Sequence, residues 1–238
     1  MANTVRLIAN AGVLIRFQGV SILIDVLHTQ RTKKFSTPDY TLLRKVVTGR
    51  EEFAKIDFLL VTHDHIDHND DATLQQYIER HPETTVVTPT KASGQAVHTL
   101  AQDSQEFQFG KVSIKCRRLA HSGEKYQSFV NYGYLIEING KTMLFLGDSM
   151  EDRQGIDALV AGAHINIAFL NFPLVTLSRG RKLVNEVIRP DEIVVFHLPF
   201  EQDDKEGYLN ATRRTLEREK NNLPSCVMLY REDQTEEI

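Results

Sequence analysis

The sequence predicts an α+β fold in one domain over residues 1–238, with two β-sheets facing each other and helices covering them. Three observations carry that expectation. First, the run 10–25 returns as the run 131–148, with agreement at Asn, Gly, Leu-Ile, Gly, Ser/Thr and Asp. Each copy reads as a hairpin, closed at Gln18-Gly19 and at Asn139-Gly140, because Asn and Gly tolerate the positive φ of tight turns. Second, apolar strand-like runs alternate with helical periodicity along the rest of the chain. Third, five apolar runs end in a residue able to bind or orient a metal: Asp25, His63, His121, Asp148 and His197. Strand ends gathered on one rim would bring these distant positions into a common cleft.

Taken in order, residues 37–47 read as a helix, with Pro38 near its start and Leu42, Leu43, Val46 and Val47 on one face. A buried strand over 58–62 leads to a helix that starts near Asn69 or Asp70, with Leu74, Tyr77 and Ile78 facing inward. Residues 85–88 make a short strand, 91–100 a helix containing His98, and 111–120 a strand. Beyond the second hairpin, a helix over 155–161 precedes a strand over 165–169. A helix over 181–188 is stopped by Pro190, and a strand follows over 192–196. The last long helix covers 206–221, a strand over 226–230 closes the core, and the acidic tail from Glu232 is expected to fray.

Composition sets bounds. A 41% hydrophobic, 25% charged chain of net charge −4 has an ordinary globular balance and no general attraction for nucleic acid. Basic clusters occur at Arg31/Lys33/Lys34, Arg179/Arg181/Lys182 and Arg213/Arg214. The two cysteines, Cys116 and Cys226, fall in strand-like segments and read as buried free thiols. The N-terminal residues lack a basic region leading into a long apolar core, and no run approaches a membrane span, so a cytoplasmic location is expected.

The densest signal is His63-Asp64-His65-Ile66-Asp67-His68, three imidazoles and two carboxylates in six residues directly after an apolar strand. Imidazole suits zinc and other first-row ions, so such a cluster serves one cation or a close pair. His63 and His65 leave the strand two apart, on one side, and can grip the same ion. Asp67 and His68 fall where the chain turns into the next helix and point elsewhere, towards a second ion. His164 precedes its strand and belongs to the opposite rim from His197. His81 and His98 read as surface or satisfied residues.

The hexad at 63–68, followed by single His, Asp and His residues at strand ends, resembles the metallo-β-lactamase superfamily over almost the whole chain. The resemblance implies an αββα four-layer sandwich of two mixed β-sheets with helices on the outer faces. It also implies a ligand set. His63, His65 and His121 would hold one divalent ion, Asp67, His68 and His197 a second, and Asp148 would bridge them, with Asp25 supporting the ligands through hydrogen bonds. Zinc is the expected metal, with manganese or iron as alternatives. Members that open β-lactams commonly carry cysteine where Asp148 stands, which disfavours that activity. In the oxygen-reducing diiron branch a glutamate replaces His65 and a flavin domain follows, which disfavours redox work.

Such a centre implies hydrolysis by a metal-bound hydroxide, with Asp67 moving a proton and Asp148 holding both cations. A lactone or phosphodiester of a small anionic substrate is expected, His28, Arg179 and Arg181 being the residues placed to meet it. A non-catalytic metal-binding scaffold and an RNA- or nucleotide-processing nuclease of the same fold are the alternatives; nucleic acid is the weaker expectation because no substrate-gripping insertion is present.

Overall fold

Both expected hairpins form. Phe17 pairs with Val20 around Gln18-Gly19, and Ile138 pairs with Lys141 around Asn139-Gly140. All four turn residues have positive φ, between 51° and 76°, the backbone twist that joins adjacent strands through two residues.

The computed structural model describes residues 2–29, 34–149 and 152–238. In chain order the elements are β1 (Thr4–Ala9), β2 (Gly12–Phe17), β3 (Val20–Ile24), α1 (Tyr40–Thr48), β4 (Phe58–Leu60), α2 (Asp71–Arg80), β5 (Thr85–Thr88), β6 (Val97–Thr99), β7 (Ser104–Phe109) and β8 (Val112–Leu119). There follow β9 (Asn131–Ile138), β10 (Lys141–Phe145), α3 (Arg153–Val160), β11 (Ile167–Asn171), α4 (Phe172–Thr176), α5 (Ser178–Leu183), β12 (Glu192–Phe196), α6 (Tyr208–Glu219), β13 (Ser225–Met228) and β14 (Thr235–Glu237).

These residues divide into two units, the first built from 1–101, 199–203 and 231–238, the second from 102–198 and 204–230. Each unit holds one mixed seven-stranded sheet with helices, as the αββα class requires of each half. In the first unit the order is β14-β1-β2-β3-β4-β5-β6. The strands from β3 to β6 are parallel to one another and the remaining pairs antiparallel. In the second the order is β13-β12-β11-β10-β9-β8-β7, parallel from β10 to β13 and antiparallel elsewhere. The echo in sequence is thus an echo in topology, a hairpin continued by three parallel strands.

In the first unit, Leu42, Leu43, Val46 and Val47 of α1 and Leu74, Tyr77 and Ile78 of α2 form one cluster with Leu14, Leu23, Leu59 and Val86 of the sheet. In the second, Ile156 and Leu159 of α3 and Leu174, Leu183 and Val187 pack with Leu144, Leu170, Ile193 and Val195. Alternate strand residues outside these clusters, such as Ile22, Ile24, Leu60, Phe145 and Phe169, are buried too. Burial of both strand faces explains why the parallel strands read as unbroken apolar runs.

Helix starts follow local chemistry. Asp39 accepts from the Thr41 amide at the start of α1, Asp70 from Thr73 at α2, and Asp152 from Gly155 at α3. Three expectations are corrected, and one strand, β7, had none. Residues 91–100 are not a helix, and His98 lies in β6, because Ser93-Gly94 interrupts any helical turn and 97–99 pairs with β5. β7 carries too few apolar residues to announce itself and is found by its pairing with β8. The tail does not fray but returns as β14 on the edge of β1, with Thr4 opposite Glu237. Cys226 is only partly buried, unlike Cys116. Among the described residues no helix is long and apolar enough to cross a membrane.

Candidate metal centre

In the first unit the chain leaves β4 through Val61 and Thr62, both buried. His63 and His68 are then buried while Asp64 and Ile66 face solvent, so the hexad turns its alternate residues inward. The amides of His68 and Asn69 both donate to the His65 carbonyl at 2.9 Å, which closes a tight turn into α2. That turn gathers the rings: His63 lies 4.0 Å from His68, tilted, and 4.7 Å from His65, edge-on, centroid to centroid. His63 Nε2 and His65 Nδ1 are 3.1 Å apart. Two nitrogens each ~2.0 Å from one tetrahedral ion would be separated by about 3.3 Å, so the pair is spaced as ligands of a single cation.

Asp25 sets the tautomers. It follows β3 with φ 52°, a left-handed conformation that an aspartate tolerates better than most residues. Its Oδ1 accepts from the Thr62 amide at 2.8 Å, and its Oδ2 accepts from Thr62 Oγ1 at 2.7 Å and from His68 Nδ1 at 2.9 Å. Since the Thr62 hydroxyl gives its one proton to Asp25, it accepts from His63 Nδ1, 2.9 Å away. Both rings therefore carry hydrogen on Nδ1 and present Nε2 as a lone pair, the form in which imidazole binds metal. Asn10, at the β1–β2 turn, donates to both the carbonyl and Oδ2 of Asp67 at 3.1 Å.

The second unit repeats the pattern. His121, two residues past β8, donates Nδ1–H to the Ser122 carbonyl at 2.8 Å and likewise presents Nε2. Asp148 turns Oδ2 towards His121 Nε2, 3.6 Å away, and Oδ1 towards His197 Nε2, 3.3 Å away. His197 directly follows β12 at φ 57°, a conformation uncommon outside glycine and here forced at a strand end. Asn171, at the end of β11, donates to Asp148 Oδ1 at 2.8 Å and to the Gly147 carbonyl at 3.0 Å. Asn131 accepts from the Asp148 amide at 3.0 Å. Asn131 and Asn10 stand at matching places in the two copies, and each steadies an aspartate. Sequence reading noted the matching asparagines without a role for them, and Asn171 gave no signal because its partner lies 23 positions away.

Each unit thus contributes potential metal ligands, His63, His65, Asp67 and His68 from one and His121, Asp148 and His197 from the other. The donor set, five imidazoles and two carboxylates with three of the rings held in the Nε2-presenting form, fits first-row divalent ions.

The expected substrate residues fare differently. Arg181 donates to the Val175 and Thr176 carbonyls at 3.0 and 2.8 Å and lies 3.4 Å from Glu219, so its guanidinium braces the end of α4 rather than facing substrate. Arg179 is exposed on α5, and His28 is fully buried. Arg31 and Lys33 lie outside the described residues. His164 pairs with Asp191 at 2.8 Å, and His81 stacks on Tyr77 with its Nε2 3.1 Å from the Val47 carbonyl. Arg213 lies over the Tyr230 ring at 4.6 Å.

A family model for the beta-lactamase superfamily domain matches residues 22–175, well over half of the chain. The chain belongs to that superfamily, the metal-dependent hydrolases of metallo-β-lactamase fold. Solved structures agree in fold over the full length. A Veillonella parvula protein described as a "possible metal-dependent hydrolase" superposes with TM-score 0.71 at 14% identity, with all of both chains covered. The isothiocyanate hydrolase from Delia radicum gut bacteria gives 0.65 at 15%, covering 99% of each chain. CmlA, a diiron β-hydroxylase from Streptomyces venezuelae, gives 0.65 at 14%, over all of this chain and 54% of its own, so the chain spans about half of that protein. No curated protein matches by sequence.

Proposed function

We propose that this chain is a dinuclear metal-dependent hydrolase of ester-type bonds, acting on a lactone or phosphodiester of a small anionic substrate. In this reading His63, His65 and His121 hold one ion, Asp67, His68 and His197 the other, and Asp148 bridges the two. The observation that carries the reading is the attitude of Asp148, which offers a different oxygen to each of two histidines, His121 and His197, assigned to different ions. A bridging carboxylate needs that division; a carboxylate serving one ion does not.

Zinc is the proposed metal because five of the seven ligands are imidazoles. Bound ions would lower the pKa of water from 15.7 to about 7 and polarise the oxygen of the scissile group. The chain's own residues then orient and move protons. Asn10 donates to the carbonyl and to Oδ2 of Asp67, which would keep the carboxylate in place to take a proton. Asn171 and Asn131 hold Asp148 by side chain and amide, so the bridge does not swing when charge develops. Arg179, exposed on α5, is the remaining basic candidate for meeting an anionic substrate; His28, three positions past Asp25, is fully buried.

Purified protein assayed by elemental analysis should hold close to two divalent equivalents. A panel of lactone, phosphodiester, phosphomonoester and thioester probes should show strong preference for one of the first two. His65→Ala or Asp148→Ala should abolish metal and hydrolysis together. Full activity in either variant refutes the site, and full metal with no hydrolysis of any probe moves the protein to the scaffold reading.

A further inference from the structure

We propose that the second unit contains a separate subsite for a small organic anion, a carboxylate or phosphate carried on an aromatic or apolar body, in the cavity where β7 begins beside the end of β8. The cavity holds about 220 Å3 and is lined by Arg117, Arg118, Leu119, Gln127, Phe129 and Asp103, with Ala120 at its edge. Among the described residues Arg117 Nε is buried and meets no hydrogen-bond acceptor. A buried guanidinium N–H left without an acceptor is costly, so Arg117 gains if its side chain shifts to meet an acceptor held in the cavity. Neither arginine forms an ion pair among the described residues.

The lining decides the class of ligand. Two guanidiniums against the single carboxylate of Asp103 leave one positive charge in excess, and their forked donors match carboxylate or phosphate oxygens. Gln127 adds an amide, while Leu119 and the Phe129 ring form an apolar wall. Pockets for drug-sized ligands start near ~300 Å3, so this one takes a head group with a small body and not a large molecule. The Phe129 ring also lies 6.4 Å from the His121 ring, and Tyr126 lies 5.4 Å from it on the same segment. Phe129 is therefore a wall shared between the cavity and a proposed metal ligand. On the reading of the chain as a hydrolase, and resting on it for this step alone, the anion is the distal group of the substrate.

Metal-free and metal-loaded full-length protein should be titrated with benzoate, phenyl phosphate and inorganic phosphate, and with benzyl alcohol as the neutral control, binding being read by ligand-observed NMR. Saturable binding of the aryl anions without the alcohol is expected, already in the metal-free protein. Replacing both arginines, Arg117→Ala with Arg118→Ala, should weaken it at least about tenfold, as loss of charge-assisted hydrogen bonds requires. The double replacement by lysine, Arg117→Lys with Arg118→Lys, should keep part of the affinity at an unchanged melting temperature. Phe129→Ala should weaken phenyl phosphate and spare inorganic phosphate. Anion binding no better than that of benzyl alcohol, or equal in the double alanine variant, overturns the subsite. Anion binding by a protein that holds metal yet hydrolyses no probe keeps the subsite and overturns the hydrolase.

Discussion

Asp25 Oδ2 accepts the Nδ1 proton of His68 at 2.9 Å although 43 positions separate them. The same carboxylate, through Thr62, also fixes the proton of His63, so one buried side chain sets which nitrogen of two histidines is left as a lone pair. Asp25→Ala should lower divalent metal affinity by about 10- to 100-fold, the usual effect of losing such a partner. It should also cost about 1–3 kcal/mol of stability, because His68 and Thr62 lose a buried acceptor. Competition with a chromophoric chelator and urea melting measure the two effects; unchanged affinity would show that the tautomers are set by something else.

Asn171 works one step from the proposed ligands. Its amide ties Asp148 Oδ1 to the Gly147 carbonyl, and Asn171→Ala frees the carboxylate to rotate. Metal affinity should fall about tenfold while far-UV circular dichroism stays as in the parent protein. Where hydrolysis is measured, kcat should drop more than KM rises, since the asparagine touches no substrate.

Alkaline pH should destabilise the protein by a calculable sign. Burial pushes the Cys116 thiol up to about 12, the Cys226 thiol up to about 11 and the Tyr77 hydroxyl up to about 12. From about pH 9 for the thiols and pH 10 for the tyrosine, the unfolded chain sheds protons that the native state retains, so stability falls as pH rises towards the native values. Urea midpoints at pH 8, 9, 10 and 11 should decrease in that order, and the native thiols should react slowly with a disulfide reagent at pH 8. A flat midpoint across this series would contradict the burial of these groups.

The C-terminal strand contributes to stability although its sequence is polar. β14 pairs with β1, the Gln234 carbonyl accepts from the Leu7 amide at 2.9 Å, and Asp233 takes a 2.7 Å bond from Arg6, which also pairs with Glu52. Deleting residues 231–238 should lower stability by roughly 1–3 kcal/mol from lost backbone hydrogen bonds and open the β1 edge to self-association. Urea melting and light scattering at raised concentration test both consequences; an unaltered midpoint would show that β14 contributes nothing.

Close packing at glycine gives a further measure. A Cβ on Gly180 would meet the Leu174 carbonyl oxygen at 2.5 Å and its Cα at 2.7 Å, backbone atoms that cannot step aside without moving α4 against α5. Gly180→Ala should cost about 1–3 kcal/mol of stability. Gly110→Ala, with nothing within 4 Å of the added atom but a φ of 59°, should cost only about 1 kcal/mol. Equal urea midpoints for the two variants would refute the distinction.

How much was legible depends on the distance over which each feature is encoded. The hexad is written in six neighbouring residues, and the hairpin turns in two each, so ordinary spacing rules find them. The helices α1, α2, α3 and α6 announce themselves by apolar periodicity, the first three also by an aspartate at their start. By contrast β6 and β7 are short or polar segments that are strands only because a neighbouring strand offers its backbone, and a local pattern cannot show that offer. Arg181 illustrates the same limit for function. A basic residue on a rim segment suggests an anion, yet its guanidinium is occupied by two carbonyls and a glutamate 38 positions away.

From the sequence alone came the alternation of strands and helices and the doubled hairpin, each carried by residue type and by neighbours a few positions apart, and, through the resemblance to the metallo-β-lactamase superfamily, the seven candidate ligands. Tertiary structure decided which nitrogen of His63, His68 and His121 carries hydrogen, which oxygen of Asp148 faces which histidine, and where the polar ends of the chain pair. Hydrogen bonds form between atoms that meet in space, and those of Asp25 with Thr62, Asn171 with Asp148 and β1 with β14 join positions that only the folded sheets bring together.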